Sequence, residues 1–389
     1  MRSAYGLQIP KEDPELTRVG LGTPCGELMR RYWQPACLSK DLTDLPKRVR
    51  VLGEDLVAFR DRHGRPGLLF FRCSHRGASL EYGRIEDQGI RCCYHGWLYD
   101  IEGNVLDMPL EPPGSPYKAH VKHPCYPVHE FGGVVFAYMG PLEKKPLFPH
   151  FDVLMREGGT LDATLGIRIG GSYSCNWLQA QENLMDVLHT QWLHTAHSEP
   201  QFPDPAFGIV PEVKYEETEM GMRAIMTRQL PDNREWEVIW EMVMPFTIYV
   251  LHTEAAATEK PRVVHFCLPE DDTHHLVASI SWTAIGDECS AERGRKELGP
   301  AFRKDKSYEY TQRHPDDKEA LEGQGPIAIH GLEHLATSDR GVIMFRKILR
   351  KQIAAMASGQ DPKGIIRDSV KASYIPTTGG SVLREGVST

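Results

Sequence analysis

Four residues between Cys73 and His95 have the types and spacing to hold an iron–sulfur cluster. The chain reads Cys73-Ser74-His75-Arg76-Gly77 and, after 16 further residues from His75, Cys92-Cys93-Tyr94-His95-Gly96-Trp97. Each short loop offers one thiolate and one imidazole, at Cys-x-His and Cys-x-x-His spacing. Two cysteines can then take one iron and two histidines the other, which is the mixed ligand set of a Rieske [2Fe-2S] centre. A Cys2His2 zinc site draws on the same ligand types. Its loops, however, normally carry matched pairs such as Cys-x-x-Cys, and here a glycine follows each histidine within two residues. The cluster is therefore the better reading, with Cys92 rather than Cys93 as ligand because only Cys92 gives Cys-x-x-His.

A second group of metal-binding residues follows. Glu182, Asp186 and His189 fall at i, i+4 and i+7, one stripe of a helix expected to start near Asn176 behind a Ser174 cap. His194 comes five residues after His189. Five residues turn about 140° around an ideal helix, so both imidazoles can reach one metal only if the helix ends or bulges between them. An irregularity is expected near Thr190 to Leu193. Surface or core histidines can cluster this way without a metal, but an electron-carrying cluster upstream favours one. Two histidines and one carboxylate leave three coordination positions open, the facial arrangement of non-haem Fe(II) oxygenases. Asp316, Asp317 and Asp339 are the later acids that could complete it; Asp339 fits equally well as a first-turn acid of a helix. Glu182 lies too close to the histidines' own stripe, and His197 is a weak substitute.

The elements that must carry these residues suggest an α+β protein. A lead-in over residues 1–40 has four prolines, which permit no long helix except over Gly26 to Trp33. Gly20-x-Gly22 followed by Gly26 has the wrong spacing, and no preceding strand, for a dinucleotide loop. Residues 41–145 read as a small antiparallel β domain, with strands at Arg48 to Leu52, Leu56 to Arg60, Leu68 to Phe71 and Gly133 to Met139. Residues 146–389 would form the metal-binding domain. Half-buried strands are expected there at Leu161 to Tyr173, with a Gly170-Gly171 break, and at Trp236 to Met244, Phe246 to Leu251, Arg262 to Leu268 and His275 to Thr283. Trp240, Met242, Met244 and Tyr249 could line an apolar pocket, although such residues are more often plain core. His274-His275 reads as a solvated hairpin end. An amphipathic helix from Arg340 buries Val342, Phe345, Leu349, Ile353 and Met356. Its basic face of Arg346, Lys347, Arg350 and Lys351 is either solvated or a dock for an acidic electron carrier.

A chain of 389 residues has room for two substantial domains. Net charge −8 and a pI near 6.1 argue against nucleic acid or an anionic membrane as partner. No apolar run is long enough to span a bilayer and the N-terminus has no signal-peptide core, so a cytoplasmic protein is expected. The nine cysteines are unpatterned outside the cluster loops, which favours reduced thiols over a disulfide framework.

Taken together, Cys73-x-His75, Cys92-x-x-His95 and Glu182-Asn183-x-x-Asp186-x-x-His189-x4-His194 resemble the catalytic subunits of Rieske non-haem iron oxygenases. Glu322-Gly-Gln-Gly-Pro and Ser338-Asp339-Arg340-Gly341-Val342 resemble the phthalate dioxygenase group, a branch that also contains aromatic O-demethylases. Ser74 and Cys93 stand where the family usually has proline. The resemblance implies a Rieske β domain joined to a helix-grip catalytic domain, and head-to-tail trimers or multiples of them. In such trimers Asp186 would bridge His95 of one subunit to His189 of the next. It also implies Asp317 as third iron ligand, since the family places that ligand second in an acidic pair ahead of Glu-Gly-Gln. Helical spacing agrees in part for Asp186, because a residue one turn from His189 can accept its ring N–H. Electrons would come from NAD(P)H through a separate reductase or ferredoxin, and O2 would be used on an aromatic, carboxylated substrate. High-potential Rieske proteins carry cysteines and a serine where Ala78, Tyr94 and Trp97 stand here. The expected potential is therefore near the low end of the Rieske range, about −150 mV. Two rivals remain at this point: a pure Rieske electron carrier, and a zinc-binding interaction module.

Overall fold

Short β-prone runs broken by Gly and Pro turns give the first third of the chain three small antiparallel sheets. The computed structural model describes residues 6–166, 172–197, 205–249, 261–287 and 307–385. Lys47–Val51, Glu54–Arg60 and Pro66–Phe70 form one sheet, and Arg84–Glu86, Gly89–Arg91, Leu98–Tyr99 and Val105–Asp107 form another. The third joins Val128–Phe131 and the wholly buried Val134–Tyr138 to Trp33–Leu38. That last strand comes from the lead-in, where Gly26 to Trp33 was expected as helix. The helix is Pro24–Met29, and Trp33 already pairs with Tyr138.

The remainder is built on one eight-stranded antiparallel sheet. Its order is Gly159–Leu165, His275–Ala284, Val263–Pro269, Phe246–Tyr249, Glu235–Val243, Gly221–Gln229 and Glu212–Glu217, with Gly380–Arg384 also paired to Glu235–Val243. The expected Gly170-Gly171 break lies outside the described residues. Three helices carry the chemistry: α1, Trp177–Met185; α2, Asp317–Glu322; and α3, Arg340–Ala357. The apolar stripe of α3, with Phe345, Ile348 and Leu349 at 1% exposure or less, packs into a core shared with the N-terminal sheets. Phe136 from the third small sheet meets Phe266 of the large one edge-on at 5.2 Å. Leu52 N–H donates to Pro269 O at 2.8 Å, which extends the junction through the backbone.

Three of the four cations on the basic face of α3 are paired with acids, Arg346 half-buried and Arg350 and Lys351 at the surface. Arg346 pairs with Glu182 and Glu333, Arg350 with Asp13 and Glu15, and Lys351 with Glu217. These partners lie far away in sequence, so helical periodicity could not reveal them. Lys347 remains exposed. Met242 and Met244 are core residues at 0% and 2% exposure, and Trp240 packs on a second apolar cluster around Trp236. The side chain of Tyr249 lies outside what is described.

Candidate metal centres

The two cluster loops are built alike. In each, the glycine N–H donates back to the cysteine carbonyl, Gly77 to Cys73 at 2.8 Å and Gly96 to Cys92 at 3.1 Å. The cysteine N–H in turn donates to the residue after the glycine, Ala78 or Trp97, at 2.9 Å in both cases. This turn needs a left-handed residue at its end, and both glycines have φ near +74°. Cys73 and Cys92 are each 3% exposed, whereas His75 is exposed and His95 half-buried. The histidine rings stand edge to face with centroids 4.4 Å apart. Thiols on the inner side and imidazoles on the outer side, drawn from two matched loops, fit a two-iron cluster with chemically different ends.

The two inner thiols sit in mutual contact. The Cys73 thiol is pulled below its usual range by the hydrogen bond from Cys92, against burial. Tyr99 and the backbone N–H groups of His75 and Arg76 add to the pull. Cys92 is pushed up by Cys73 and by burial. Trp97 stacks on His75 at 4.7 Å with 9° between the planes. One hydroxyl escaped the sequence argument: Tyr99 Oη lies 3.1 Å from Cys73 Sγ. Its only signal was a tyrosine two residues past Trp97. Cys93, within the second loop next to Cys92, is exposed.

The second group also converges, through a broken helix. α1 is capped by Asn176, whose side chain accepts from Leu178 N–H, so the cap lies two residues beyond Ser174. α1 ends at Met185, and Asp186 leaves helical geometry with ψ 69°. A 3₁₀ turn over Val187–His189, a short helix over Thr190–Trp192 and a π-turn over Leu193–His197 follow. The irregularity is thus spread on both sides of Thr190 to Leu193, and it brings the two imidazoles together with ring centroids 5.2 Å apart.

Asp317 reaches the same point from the first residue of α2. Its Oδ1 lies 3.4 Å from His189 Nε2 and 3.2 Å from His194 Nε2. The three ligand atoms are all within 4.8 Å of one another. Asp316 is instead the N-cap of α2, in a capping box with Glu319, and its Oδ1 stays 3.9 Å from His194 Nδ1. Asp339 accepts from Ala336 N–H ahead of α3, and His197 stacks on Trp192 outside the group. Asn183, whose place in the motif carried no assigned role, donates to Asp317 Oδ1 at 3.2 Å and sits 3.4 Å from His189 Nε2.

Asp186 does not contact His189 in the expected way. His189 Nδ1 donates to the backbone carbonyl of Asp186, because the chain leaves the helix there and the carboxylate no longer lies one turn below the imidazole. The bond still fixes the tautomer, leaving the Nε2 lone pair for a metal. The Asp186 carboxyl is pushed above its usual range by burial, and the N–H groups of Leu188 and His189 partly offset this. It lines a cavity of about 490 Å³ together with His189, Leu193, Ile329 and Val342.

Another His/Glu group, Glu182, His330 and Glu333, has ligand-like spacing. Arg346 already occupies it, with Nε and Nη2 on Glu182 at 2.6 and 2.8 Å and Nη1 on Glu333 at 2.5 Å. His275, expected at a solvated hairpin end, is 0% exposed, stacks on Tyr173 and bonds Cys175 O at 2.8 Å. His274 is the exposed residue of the pair. Among the described residues no helix is long and apolar enough to cross a membrane.

Two segments of the chain match known protein families. Residues 32–127 match the Rieske [2Fe-2S] domain, and residues 173–355 match the vanillate O-demethylase oxygenase C-terminal domain. The chain is 42% identical to the oxygenase subunit of tert-butanol monooxygenase / tert-amyl alcohol desaturase from Aquincola tertiaricarbonis, covering 93% of this chain and 80% of that one. It is 41% identical to phenoxybenzoate dioxygenase subunit alpha from Ectopseudomonas oleovorans, covering 93% and 90%. Dicamba monooxygenase bound to dicamba shares the fold, with a TM-score of 0.63 at 17% identity over 85% of this chain and 98% of that one.

Proposed function

Since the chain belongs to the Rieske oxygenases, as the terminal oxygenase component of a multicomponent system, we propose that it hydroxylates or O-demethylates a small aromatic substrate. O2 is the oxidant, and electrons come from NAD(P)H through a separate reductase or ferredoxin. Cys73, His75, Cys92 and His95 are the residues that would hold a [2Fe-2S] cluster, and His189, His194 and Asp317 those that would hold Fe(II). When bound, the cluster would supply electrons singly and the iron would activate dioxygen. The observation that carries this reading is the convergence of His189 Nε2, His194 Nε2 and Asp317 Oδ1 in a chain that also bears the paired Cys/His loops.

The protein's own residues prepare both sites. The Asp186 carbonyl locks the His189 tautomer, and Asn183 keeps Asp317 turned toward the histidines. The Asp186 carboxylate, on the cavity wall, is the group we assign to linking the two centres across a subunit boundary. That assignment implies a homotrimer or a multiple of one. This arrangement, like a cytoplasmic location, rests on family membership.

An aromatic substrate is supported by the phenoxybenzoate named for one relative, and a carboxylated one is the first to test. Among the described residues the cavity wall carries one Lys or Arg side chain, Arg346, which Glu182 and Glu333 already engage. A substrate carboxylate would need another cation. The tertiary alcohols named for the other relative supply a second reading. The test is oxygen uptake and product analysis with a generic reductase, NAD(P)H and a panel of aromatic acids, aryl ethers and tertiary alcohols. Turnover of aromatic compounds is expected. Turnover confined to tertiary alcohols would contradict the aromatic reading.

A further inference from the structure

Beneath the first cluster loop lies a histidine that neither ligand set uses. His123 is 0% exposed. Its Nε2 lies 2.8 Å from Phe70 O. A carbonyl can only accept, so Nε2 carries the hydrogen. Nδ1 is then left with the lone pair and accepts from Ser74 Oγ at 2.7 Å. Ser74 is the residue between Cys73 and His75. The other face of the problem is Tyr99, whose ring packs against His123 with centroids 4.5 Å apart and 35° between the planes. This is the tyrosine whose hydroxyl reaches Cys73 Sγ at 3.1 Å. The histidine's backbone is anchored, its main-chain N–H donating to Gly103 O at 2.8 Å, while the next residue's carbonyl, Pro124 O, accepts from Phe70 N–H at 2.9 Å. One buried ring thus braces the first cluster loop on one side and the tyrosine on the other.

We propose that His123 is a positioning residue that sets the reduction potential of the cluster by holding Tyr99 in hydrogen-bonding register with Cys73 Sγ. A donor to a ligand sulfur stabilises the reduced, more negative cluster and so raises its potential. The Ser74 and Phe70 bonds fix the rotation of the His123 ring, and the ring's packing fixes Tyr99. Ser74, the residue between the two ligands of the first loop, supplies the hydroxyl that ties this ring to the loop.

The proposal rests on the cluster being held at Cys73, His75, Cys92 and His95. Iron and acid-labile sulfide are therefore measured first on the full-length parent; a parent with neither overturns both readings. The test is a spectroelectrochemical titration of the loaded parent, His123→Phe, Ser74→Ala, Tyr99→Phe and the double variant His123→Phe/Tyr99→Phe. His123→Phe and Tyr99→Phe should each lower the midpoint potential, and the double variant should lie no lower than Tyr99→Phe alone. Ser74→Ala should shift it the same way by less. A fully loaded His123→Phe at the parental potential overturns this proposal alone, as does a shift that persists undiminished in the Tyr99→Phe background. If His123→Phe does not load cluster, Ser74→Ala decides. A fall in Ser74→Ala that is absent from Ser74→Ala/Tyr99→Phe relative to Tyr99→Phe supports the brace, and a parental potential in Ser74→Ala, or a fall that persists in that double variant, overturns it.

Discussion

Asp317 is the residue on which the mononuclear site turns. Burial opposes its ionisation, yet the imidazoles of His189 and His194 beside it hold its carboxyl well below the usual carboxylate range. A charged oxygen beside two imidazole nitrogens is what a divalent cation needs. Asp317→Ala is expected to lower mononuclear iron and product formation by more than about a hundredfold while the visible spectrum of the cluster persists. An active variant would remove Asp317 from the site. His275 gives a second test, through pH. Burial pushes its imidazole down to about 4, with Lys318 and His274 also lowering it and Cys175 O and Glu322 opposing. A folded-state value below the ordinary His value of about 6.5 means that the unfolded chain binds more protons between those limits. Stability from this residue is thus complete above about pH 6.5 and is lost as pH falls toward 4, by on the order of 3 kcal/mol. His275→Gln should flatten the fall in melting temperature between pH 7 and pH 4.5; parallel curves for variant and parent would show that His275 does not titrate with unfolding.

At the scale of elements, the site depends on how α1 is tied to α2 and α3. Gln179 of α1 is 2% exposed and bonds Leu321 O at 2.8 Å and Gly325 O at 3.1 Å, while its Oε1 accepts from Ala328 N–H. Those bonds clamp the end of α2 and its following loop to the helix that leads into His189. Gln179→Leu should weaken mononuclear iron binding by about 10–100-fold, read as the Fe(II) concentration needed to refill the site, with the cluster unchanged. Equal Fe(II) affinity would mean that α2 is held otherwise. Glu182, 7% exposed, is bound by Arg346 of α3. Arg346→Met would leave it as a buried uncompensated carboxylate and should cost on the order of 3 kcal/mol in denaturant unfolding. Glu182→Gln in that background should recover part of the loss, and no recovery would mean that the cost lies elsewhere.

Across the whole molecule, the parts that were legible in the sequence are those encoded by short spacing. The Cys/His loops, the His189 and His194 pair and several strand runs of the small sheets and the large one can be read from neighbours a few residues apart. The partners that complete them come from far along the chain. Glu182 meets Arg346 across 164 positions, Gln179 meets Gly325 across 146, and Ser74 meets His123 across 49. No local period encodes such pairs. At Asp186 the carbonyl rather than the carboxylate meets His189 for a related reason: the stripe argument assumes a continuous helix, and the helix ends at Met185. His275 was misplaced because a polar pair at a hairpin says nothing about Tyr173 and Cys175, which bury one member.

The central claim is that one chain carries two different iron centres, and counting metal against sulfide tests it most directly. On anaerobically purified protein, iron and acid-labile sulfide should be present at about three to two per chain, one [2Fe-2S] cluster plus one mononuclear iron. A ratio of about two to two, with no further iron taken up on adding Fe(II), would contradict the account and leave an electron carrier without its own oxygen chemistry.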